Sequence, residues 1–227
     1  MTTLTTFLDP TVDTDKEFSF LSNHLKTIRC ESQENIFSKT GRSEEFKIFV
    51  VRQGLVKLFT RFNTSQSLDL LYPGLFFANQ NGSAYRVDPI ATENTEVCFL
   101  DDKVLDDLIT SDSRFIKNLM IMFANHANKF KATYISAQKN QVYARLATAL
   151  ISDFAHRGSL FNGKVRAKKV LSHEEWALHL QARRESISRA FKCLFDQGAV
   201  SKHGNYMFLE DKEKLENLSA LHQSPYN

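Results

Sequence analysis

The sequence has 227 residues, of which 42% are hydrophobic and 24% charged, and this composition excludes a disordered or fibrous protein. No stretch approaches the roughly 20 apolar residues that span a bilayer, and the N-terminus lacks the basic start and apolar run of a secretory signal. The three cysteines show no C-x-x-C spacing, which argues against a disulfide framework or a zinc site. We therefore expect a cytoplasmic protein that requires no membrane and no cofactor.

The net charge of +3 is unevenly distributed along the chain. Residues 1–138 contain 15 Lys and Arg against 17 Asp and Glu, whereas residues 139–227 contain 14 against 9. A basic C-terminal region suits a polyanionic partner, although an excess of this size is also common on an ordinary solvated surface.

Residues 46–100 have the pattern of short strands separated by turns. Aromatic and β-branched residues predict strands at 46–51, 56–62, 67–72 and 96–100, with turns at Gly54 and at Pro73-Gly74. In the second strand Val56 and Leu58 share one face, and Lys57 lies on the opposite face, which we expect to be solvated. This half of the chain is predicted to be an all-β sandwich or barrel.

A long helix with a coiled-coil seam is predicted from residue 112 onward. Apolar residues recur at alternating spacings of three and four, without Pro or Gly between them, at Met120, Phe123, Ala127, Phe130, Tyr134 and Ala137. The seam has to be covered either by the β domain of the same chain or by the same helix of a second copy. Its length favours a two-fold dimer.

Three further helices and a hairpin are predicted in the last third of the chain. The first covers 141–156, with Gly158 at the position that ends a helix, and the second begins at a capping box of the form S-x-x-E at Ser172. After a break near Gln181, the third helix buries an apolar stripe and ends at Gly198. A hairpin that turns at 203–205 completes a winged helix-turn-helix.

The outward side of the third helix carries residue types that bind DNA. Arg donates two hydrogen bonds to guanine, Glu accepts one from cytosine, and Ser bonds to bases or phosphates. Two arginines at the start of a helix oppose its dipole unless an anion lies near. The candidate DNA-binding residues are Ser172, Arg183, Arg184, Glu185, Ser186, Ser188, Arg189 and Lys192. An ordinary surface helix with an Arg-Arg-Glu run is the competing interpretation.

These segments resemble the CRP/FNR family of bacterial transcription regulators. Residues 184–189, followed by 191–200 and Lys202-His-Gly204, look like its recognition helix and wing, and 142–150 is similar to its first helix after the dimer helix. Residues 53–58 and 72–76 resemble its β-roll turns. The resemblance implies an α+β fold with three parts: an N-terminal β-roll of the cyclic-nucleotide-binding, jelly-roll type over 1–110, a dimerisation helix over 111–138 and a winged helix-turn-helix over 139–227.

The resemblance also implies roles for individual residues. In the family, the positions matched by Arg184, Glu185 and Arg189 contact base edges, and the helix cap matched by Ser172 contacts a phosphate. The implied partners are double-stranded DNA, a second copy of the chain and RNA polymerase.

Departures from the family pattern concern the effector and one turn. The segment that begins at Gly74 lacks the family's Glu, and Gly82 stands before Ser83 where cyclic-nucleotide binders have Arg, so we do not expect cyclic AMP and the effector is unknown. Arg86 is interpreted as a surface residue. At the inter-helix turn, Gln181 and Arg183 replace the family's frequent Gly and Ser.

Cysteine chemistry is not expected to contribute to function. The oxygen-sensing branch of the family holds an iron-sulfur cluster through clustered N-terminal cysteines, and Cys30 alone cannot do this. Cys30, Cys98 and Cys193 are interpreted as small buried residues, with a redox role as the less favoured alternative.

Two other functional classes remain as alternatives. A cupin-like metalloenzyme needs two or three histidines inside the barrel, but none of the seven histidines falls within 46–100, which argues against an enzyme. The second is a sensor or interaction module whose winged helix binds protein instead of DNA. Only DNA binding predicts a steep loss of affinity with salt.

Overall fold

The computed structural model describes residues 24–40, 45–62, 65–79, 86–111, 113–137 and 141–220. These residues form two compact units, one before Lys131 and one from Lys131 onward. No helix in the described ranges is long and apolar enough to cross a membrane, and none of their His, Cys, Asp and Glu side chains form a group that could hold a metal ion.

The first unit is built on two antiparallel sheets. Its strands are β1 (Lys26–Cys30), β2 (Lys47–Gln53), β3 (Val56–Phe62), β4 (Ser65–Leu71), β5 (Phe76–Asn79), β6 (Arg86–Ala91) and β7 (Thr95–Asp101). Its helices are α1 (Ile36–Lys39), α2 (Asp102–Ser111) and α3 (Ser113–Ala137). One sheet has the order β1-β7-β2-β5 and the other β4-β3-β6. The four predicted strands are confirmed, whereas β1, β5 and β6 were not predicted.

Aromatic rings fill the core between the two sheets. Phe49 and Phe77 of the first sheet stack with ring centroids 5.0 Å apart, and Phe37 lies 5.4 Å from Phe49. Val56 and Leu71 of the second sheet belong to the same buried cluster. Both sheets therefore contribute to one core, and the predicted sandwich-like β domain is confirmed.

Lys57 departs from the predicted alternation of buried and solvated residues. It is only 4% exposed, although it was predicted to lie on the solvated face of β3. Lys57 is paired across the sheet with Leu70 and Ile90, and Leu70 is also buried. Alternating apolar and polar residues indicate a solvated face only where that face of the sheet is open to water. The face of β3 that carries Lys57 is buried instead.

The start of α3 packs on the first unit. Phe115 is buried in a second cluster with Ile48 and Leu100, and Leu119 packs against the same cluster. Phe123 meets Phe76 edge to face, with ring centroids 4.9 Å apart. Part of the seam is thus covered by the chain's own β domain, which was the less favoured of the two predicted arrangements for this helix.

A neighbouring face of α3 is apolar and exposed. Met120 is 66% exposed, and Ile116, Ile121 and Phe123 are each more than a third exposed. Ile116 and Met120 are separated by one helical turn, and Ala127 continues the same side. The side chains of Phe130, Tyr134 and Ala137, also predicted for the seam, lie outside the described residues.

The second unit is a winged helix-turn-helix, as predicted. Its helices are α4 (Val142–Arg157), α5 (His173–His179), α6 (Arg184–Asp196) and α7 (Lys212–Ala220). Its strands are β8 (Ser159–Phe161), β9 (Lys164–Lys168), β10 (Val200–His203) and β11 (Tyr206–Leu209), in the sheet order β10-β11-β9-β8. The hairpin of β10 and β11 is the wing, and it turns at Gly204-Asn205 within the predicted 203–205.

A buried ion pair within α4 also contacts the end of β9. Arg157 donates two hydrogen bonds of 2.7 Å to the carboxylate of Asp153, one turn earlier. The same guanidinium donates to the carbonyl of Lys168 at 3.0 Å. Both charged side chains are less than 10% exposed, so their charges depend on each other for compensation.

Gly158 ends α4 for a different reason from the one predicted. A glycine that ends a helix usually adopts a left-handed φ, but Gly158 has φ −63°. A Cβ at this position would lie 2.2 Å from the carbonyl oxygen of Phe154 and 2.7 Å from Val165. The glycine is required because a Cβ would clash with the last turn of α4 itself and, less severely, with the side chain of Val165 in β9. Gly198, which was predicted to end the third helix, does adopt a left-handed φ, at +65°.

Substitutions distinguish the requirement at Gly158, where a Cβ would clash, from the requirement at Gly198, where the backbone has a left-handed φ. Gly158→Ala is expected to lower the free energy of unfolding by about 2–3 kcal/mol, because Cβ must displace a backbone carbonyl. Gly198→Ala costs about 1–2 kcal/mol through its left-handed φ. Asn tolerates that region, so Gly198→Asn is expected to recover stability and Gly158→Asn is not. Trp176, the only tryptophan, reports guanidinium unfolding by fluorescence, and unchanged stability of Gly158→Ala would contradict the close approach.

The buried ion pair yields a second stability prediction. Asp153→Ala is expected to lower the free energy of unfolding by about 3 kcal/mol, because it leaves the guanidinium of Arg157 buried without its carboxylate. Asp196→Ala is the control, since Asp196 is exposed on α6, and it should change stability by less than about 0.5 kcal/mol. The same Trp176 fluorescence measures both variants, and equal effects would show that the buried pair contributes no more than a surface carboxylate.

Candidate nucleic-acid interface

The capping box predicted from the sequence is present at the start of α5. The backbone N–H of Glu175 donates to Oγ of Ser172 at 3.2 Å, and the backbone N–H of Ser172 donates to Oε2 of Glu175 at 2.8 Å. Ser172 is exposed, and its hydroxyl proton remains able to donate to a phosphate. The cap therefore fixes the start of α5 and keeps the predicted contact available.

The turn between α5 and α6 is closed without the glycine that the family often has there. Gln181 itself takes the left-handed conformation, with φ +48°. Arg145 of α4 donates from Nη1 to the carbonyl of Leu180 at 3.0 Å, and the N–H of Ala182 donates to the carbonyl of Ala177 at 2.9 Å. These bonds hold the turn in place although Gln181 carries a side chain.

Burial of one side of α6 determines which of its residues face outward. Ile187 and Leu194 are completely buried, and Ala190 and Phe191 are nearly so; Phe195, predicted for the same stripe, is half-buried. The structure leaves most of the predicted DNA-binding set exposed, namely Ser172, Arg183, Arg184, Glu185, Ser188, Arg189 and Lys192. Ser186 differs, because it is half-buried and accepts a hydrogen bond from Arg189 at 3.4 Å.

The exposed face of α6 is predominantly cationic. Arg184 approaches Glu174 of α5 at 4.0 Å, and both side chains are about two-thirds exposed, so their attraction is weak. Glu185 lies in the first turn of α6, where a carboxylate is favoured by the helix dipole. The face thus presents guanidinium groups that are available for an anionic partner.

His173, Lys169 and Lys202 extend this surface and were not predicted from the sequence. Nδ1 of His173 lies 2.9 Å from Oγ of Ser188, and its ring stacks on Phe191 with centroids 5.1 Å apart. The Lys168-Lys169 pair before the capping box was the available sequence signal for a basic site. The histidine could not be placed beside it, because the contact depends on how α5 packs on α6.

A cavity of about 500 Å³ lies between α4, α5, α6 and the wing. Trp176, Phe191 and Met207 form an apolar part of its wall, while Lys169 and Lys202 contribute ammonium groups. Asn205 of the wing accepts a hydrogen bond from the backbone N–H of Lys169 at 2.8 Å. The wing is thereby attached to the loop that leads into α5.

The cysteines do not form a cluster among the described residues. Cys30 and Cys98 are buried, and Cys193 is half-buried. Burial raises the pKa of the Cys30 thiol, which disfavours the reactive thiolate. The interpretation of these residues as small packing groups therefore has physical support.

Comparison with known proteins agrees with this geometry. Residues 144–218 match the Crp-like helix-turn-helix domain family. FixK2 from Bradyrhizobium japonicum is 20% identical over 86% of this chain and 98% of its own, with a TM-score of 0.69. TTHB099, a CRP-family transcriptional regulator from Thermus thermophilus, is 21% identical over 85% of this chain and 96% of its own, with a TM-score of 0.68.

A CooA mutant from Carboxydothermus hydrogenoformans is also similar, at 18% identity over 88% of this chain and 90% of its own, with a TM-score of 0.64. No relative was found among curated protein sequences. The resemblance to the CRP/FNR family predicted from the sequence is thereby confirmed: the chain is a DNA-binding transcription regulator that carries a Crp-like helix-turn-helix domain and has the fold of this family.

Proposed function

We propose that the chain acts as a homodimeric, sequence-specific regulator that inserts α6 into the major groove of an inverted-repeat operator. The observation that carries this proposal is the division of α6 into a buried apolar side and an exposed side with Arg184, Glu185 and Arg189. Arginine in the major groove pairs with guanine and glutamate with cytosine. The exposed Ser172 supports a phosphate contact that sets the register.

The domain roles follow from the same proposal. Residues 1–110 act as the sensor, 111–138 as the dimerisation helix and 139–227 as the DNA-binding domain, and RNA polymerase is the protein partner in the cytoplasm. Residues 74–78 contain no Glu, which cyclic-nucleotide binders carry after the Pro-Gly turn, and Leu75 of this segment packs against the aromatic core. The missing carboxylate supports an effector other than cyclic AMP. Gly82 and Ser83, the other departure, lie outside the described residues.

The exposed apolar side of α3 supports dimerisation. Isolated exposed apolar residues are common on monomers, but Ile116, Met120 and Ile121 lie close together on one helix. A second copy would cover them and bring two α6 helices to half-sites about 34 Å, or roughly 10 bp, apart. The competing proposal, in which the winged helix binds protein, predicts binding that depends little on salt.

Met120→Glu tests the dimer. Placing a carboxylate in a desolvated interface costs several kcal/mol, so the variant is expected to sediment as a monomer and to bind DNA weakly. Met120 is preferable to Phe123 as a target, because Phe123 also packs on Phe76 of its own unit. Lys103→Glu, an exposed charge change on α2, serves as the control and should remain a dimer. A dimeric Met120→Glu protein would place the interface elsewhere.

Arg189 tests sequence-specific binding. Arg189→Ala should lose about 1–3 kcal/mol of affinity and relax the preference at one base pair in each half-site. Arg189→Lys keeps the charge but loses the bidentate geometry, so it should recover affinity more than specificity. Selection from random duplexes measures both. An unchanged preferred sequence for Arg189→Ala, or a selected site without two-fold symmetry, would contradict the proposed docking of α6.

A further inference from the structure

Two lysines and a histidine from three separate segments gather at the edge of the cavity in the second unit. Lys169 comes from the loop before α5, Lys202 from the wing and His173 from the start of α5, and all three line the cavity. The loop and wing are held together by the 2.8 Å hydrogen bond from the backbone N–H of Lys169 to the backbone carbonyl of Asn205. The arrangement of these three residues is therefore built into the packing of the unit.

Lys169 and Lys202 bring two like charges to the edge of the same cavity. Partial burial, together with a direct interaction with Lys202, lowers the pKa of Lys169 from its ordinary value. Two neighbouring ammonium groups repel each other. A negatively charged group between them would remove this repulsion.

His173 lines the same cavity as the two lysines. Its Nδ1 forms a hydrogen bond with Oγ of Ser188, and its ring stacks on Phe191. In the described part of the chain, Nε2 of His173 meets no hydrogen-bond partner, and the side chain is exposed. Nε2 is thus the donor that a protonated His173 would offer to an anion.

The charged groups around His173 are mostly cationic. Arg184 of α6, Lys202 of the wing and Lys169 of the loop all act on it electrostatically. The nearby carboxylates have other partners: Asp153 is paired with Arg157, Glu174 lies near Arg184, and Glu175 completes the capping box. Because the nearby carboxylates among the described residues already interact with other groups, the anion that neutralises the cations around His173 has to come from another molecule.

We propose that Lys169, Lys202 and His173 form a phosphate-binding site between the wing and α5, which a backbone phosphate of DNA fills and at which His173 takes up a proton. The site rests on the DNA binding proposed above. A DNA phosphate is favoured over a small anion because Ser188, which holds His173, lies on the exposed face of α6. DNA that contacts this face also brings its backbone close to the wing.

The proposal fixes the direction of the pH dependence. In the free protein, burial and then the charges of Arg184, Lys202 and Lys169 lower the pKa of His173 from its ordinary value. A bound phosphate favours the charged imidazolium and raises that pKa. The complex therefore binds more protons than the free protein, and affinity for DNA rises as the pH falls through the interval between the two pKa values.

Fluorescence anisotropy of the full chain with a mixed-sequence duplex, at constant ionic strength between pH 8.0 and 5.5, tests this linkage. Wild type is expected to gain about 3–10-fold in affinity per protomer beyond the gain of His173→Gln, which corresponds to a pKa rise of up to about one unit. His173→Arg, which stays charged, should bind at every pH as wild type does at low pH. His156→Gln, on the exposed side of α4, is the control and should keep the wild-type dependence.

Salt dependence tests the two lysines. Lys169→Met and Lys202→Met should each reduce the slope of log K against log salt by up to about one per protomer, because each removes one cation from the phosphate contact. Lys212→Met, an exposed lysine on α7, is the matched control and should leave the slope unchanged. Guanidinium unfolding followed by Trp176 fluorescence verifies that each variant is folded.

The possible results distinguish failure of the phosphate site from failure of the proposed DNA-binding function. If wild type binds the duplex but His173→Gln keeps the full pH dependence, or the lysine variants keep the full salt slope, the phosphate site is wrong and the regulator proposal stands. If wild type fails to bind any duplex at low salt, both proposals are overturned. Loss of the pH dependence in His173→Gln, together with the reduced slopes, supports the site.

Discussion

The burial of the apolar side of α6 is the constraint on which the candidate DNA-binding surface depends. Ile187 and Leu194 are fully removed from water, and each such side chain contributes about 1.5–3 kcal/mol. Rotating the helix by one residue would move it about 100° and expose this stripe. The outward direction of Arg184, Glu185 and Arg189 is therefore a consequence of core packing and needs no contact of their own.

The attachment of the wing has a comparable role for the residues at the cavity edge. Lys169, His173 and Lys202 come from three segments and have no shared periodicity in the sequence. The bond from Lys169 to Asn205 holds the loop beside the wing, and the bond from Arg157 to the carbonyl of Lys168 holds the end of β9 beside α4. The positions of the two lysine charges thus depend on hydrogen bonds to two uncharged backbone carbonyls, those of Asn205 and Lys168.

Helix α3 serves two purposes with neighbouring faces. Phe115 and Leu119 complete the core of the first unit, whereas Ile116, Met120 and Ile121 remain exposed. A periodic apolar stripe predicts that one side of a helix is covered. It cannot tell whether the covering residues belong to the same chain or to a second copy. Of the predicted seam, Phe123 contacts the chain's own β domain and Met120 is exposed, so the second copy that would cover Met120 stays a prediction.

Local features of the sequence were sufficient for the elements whose causes are local. The S-x-x-E box, the helix end at Gly198 and the apolar stripe of α6 follow from short-range hydrogen bonding, backbone conformation and helical periodicity, and each was predicted. The candidate DNA-binding residues followed from that periodicity. Burial of Lys57, the close approach at Gly158 and the contact of His173 with Ser188 could not be predicted, because each depends on which distant segment packs against the residue. The sequence by itself determined which faces are apolar, and the tertiary structure decided what covers them, because packing partners are chosen by the three-dimensional arrangement and not by neighbours along the chain.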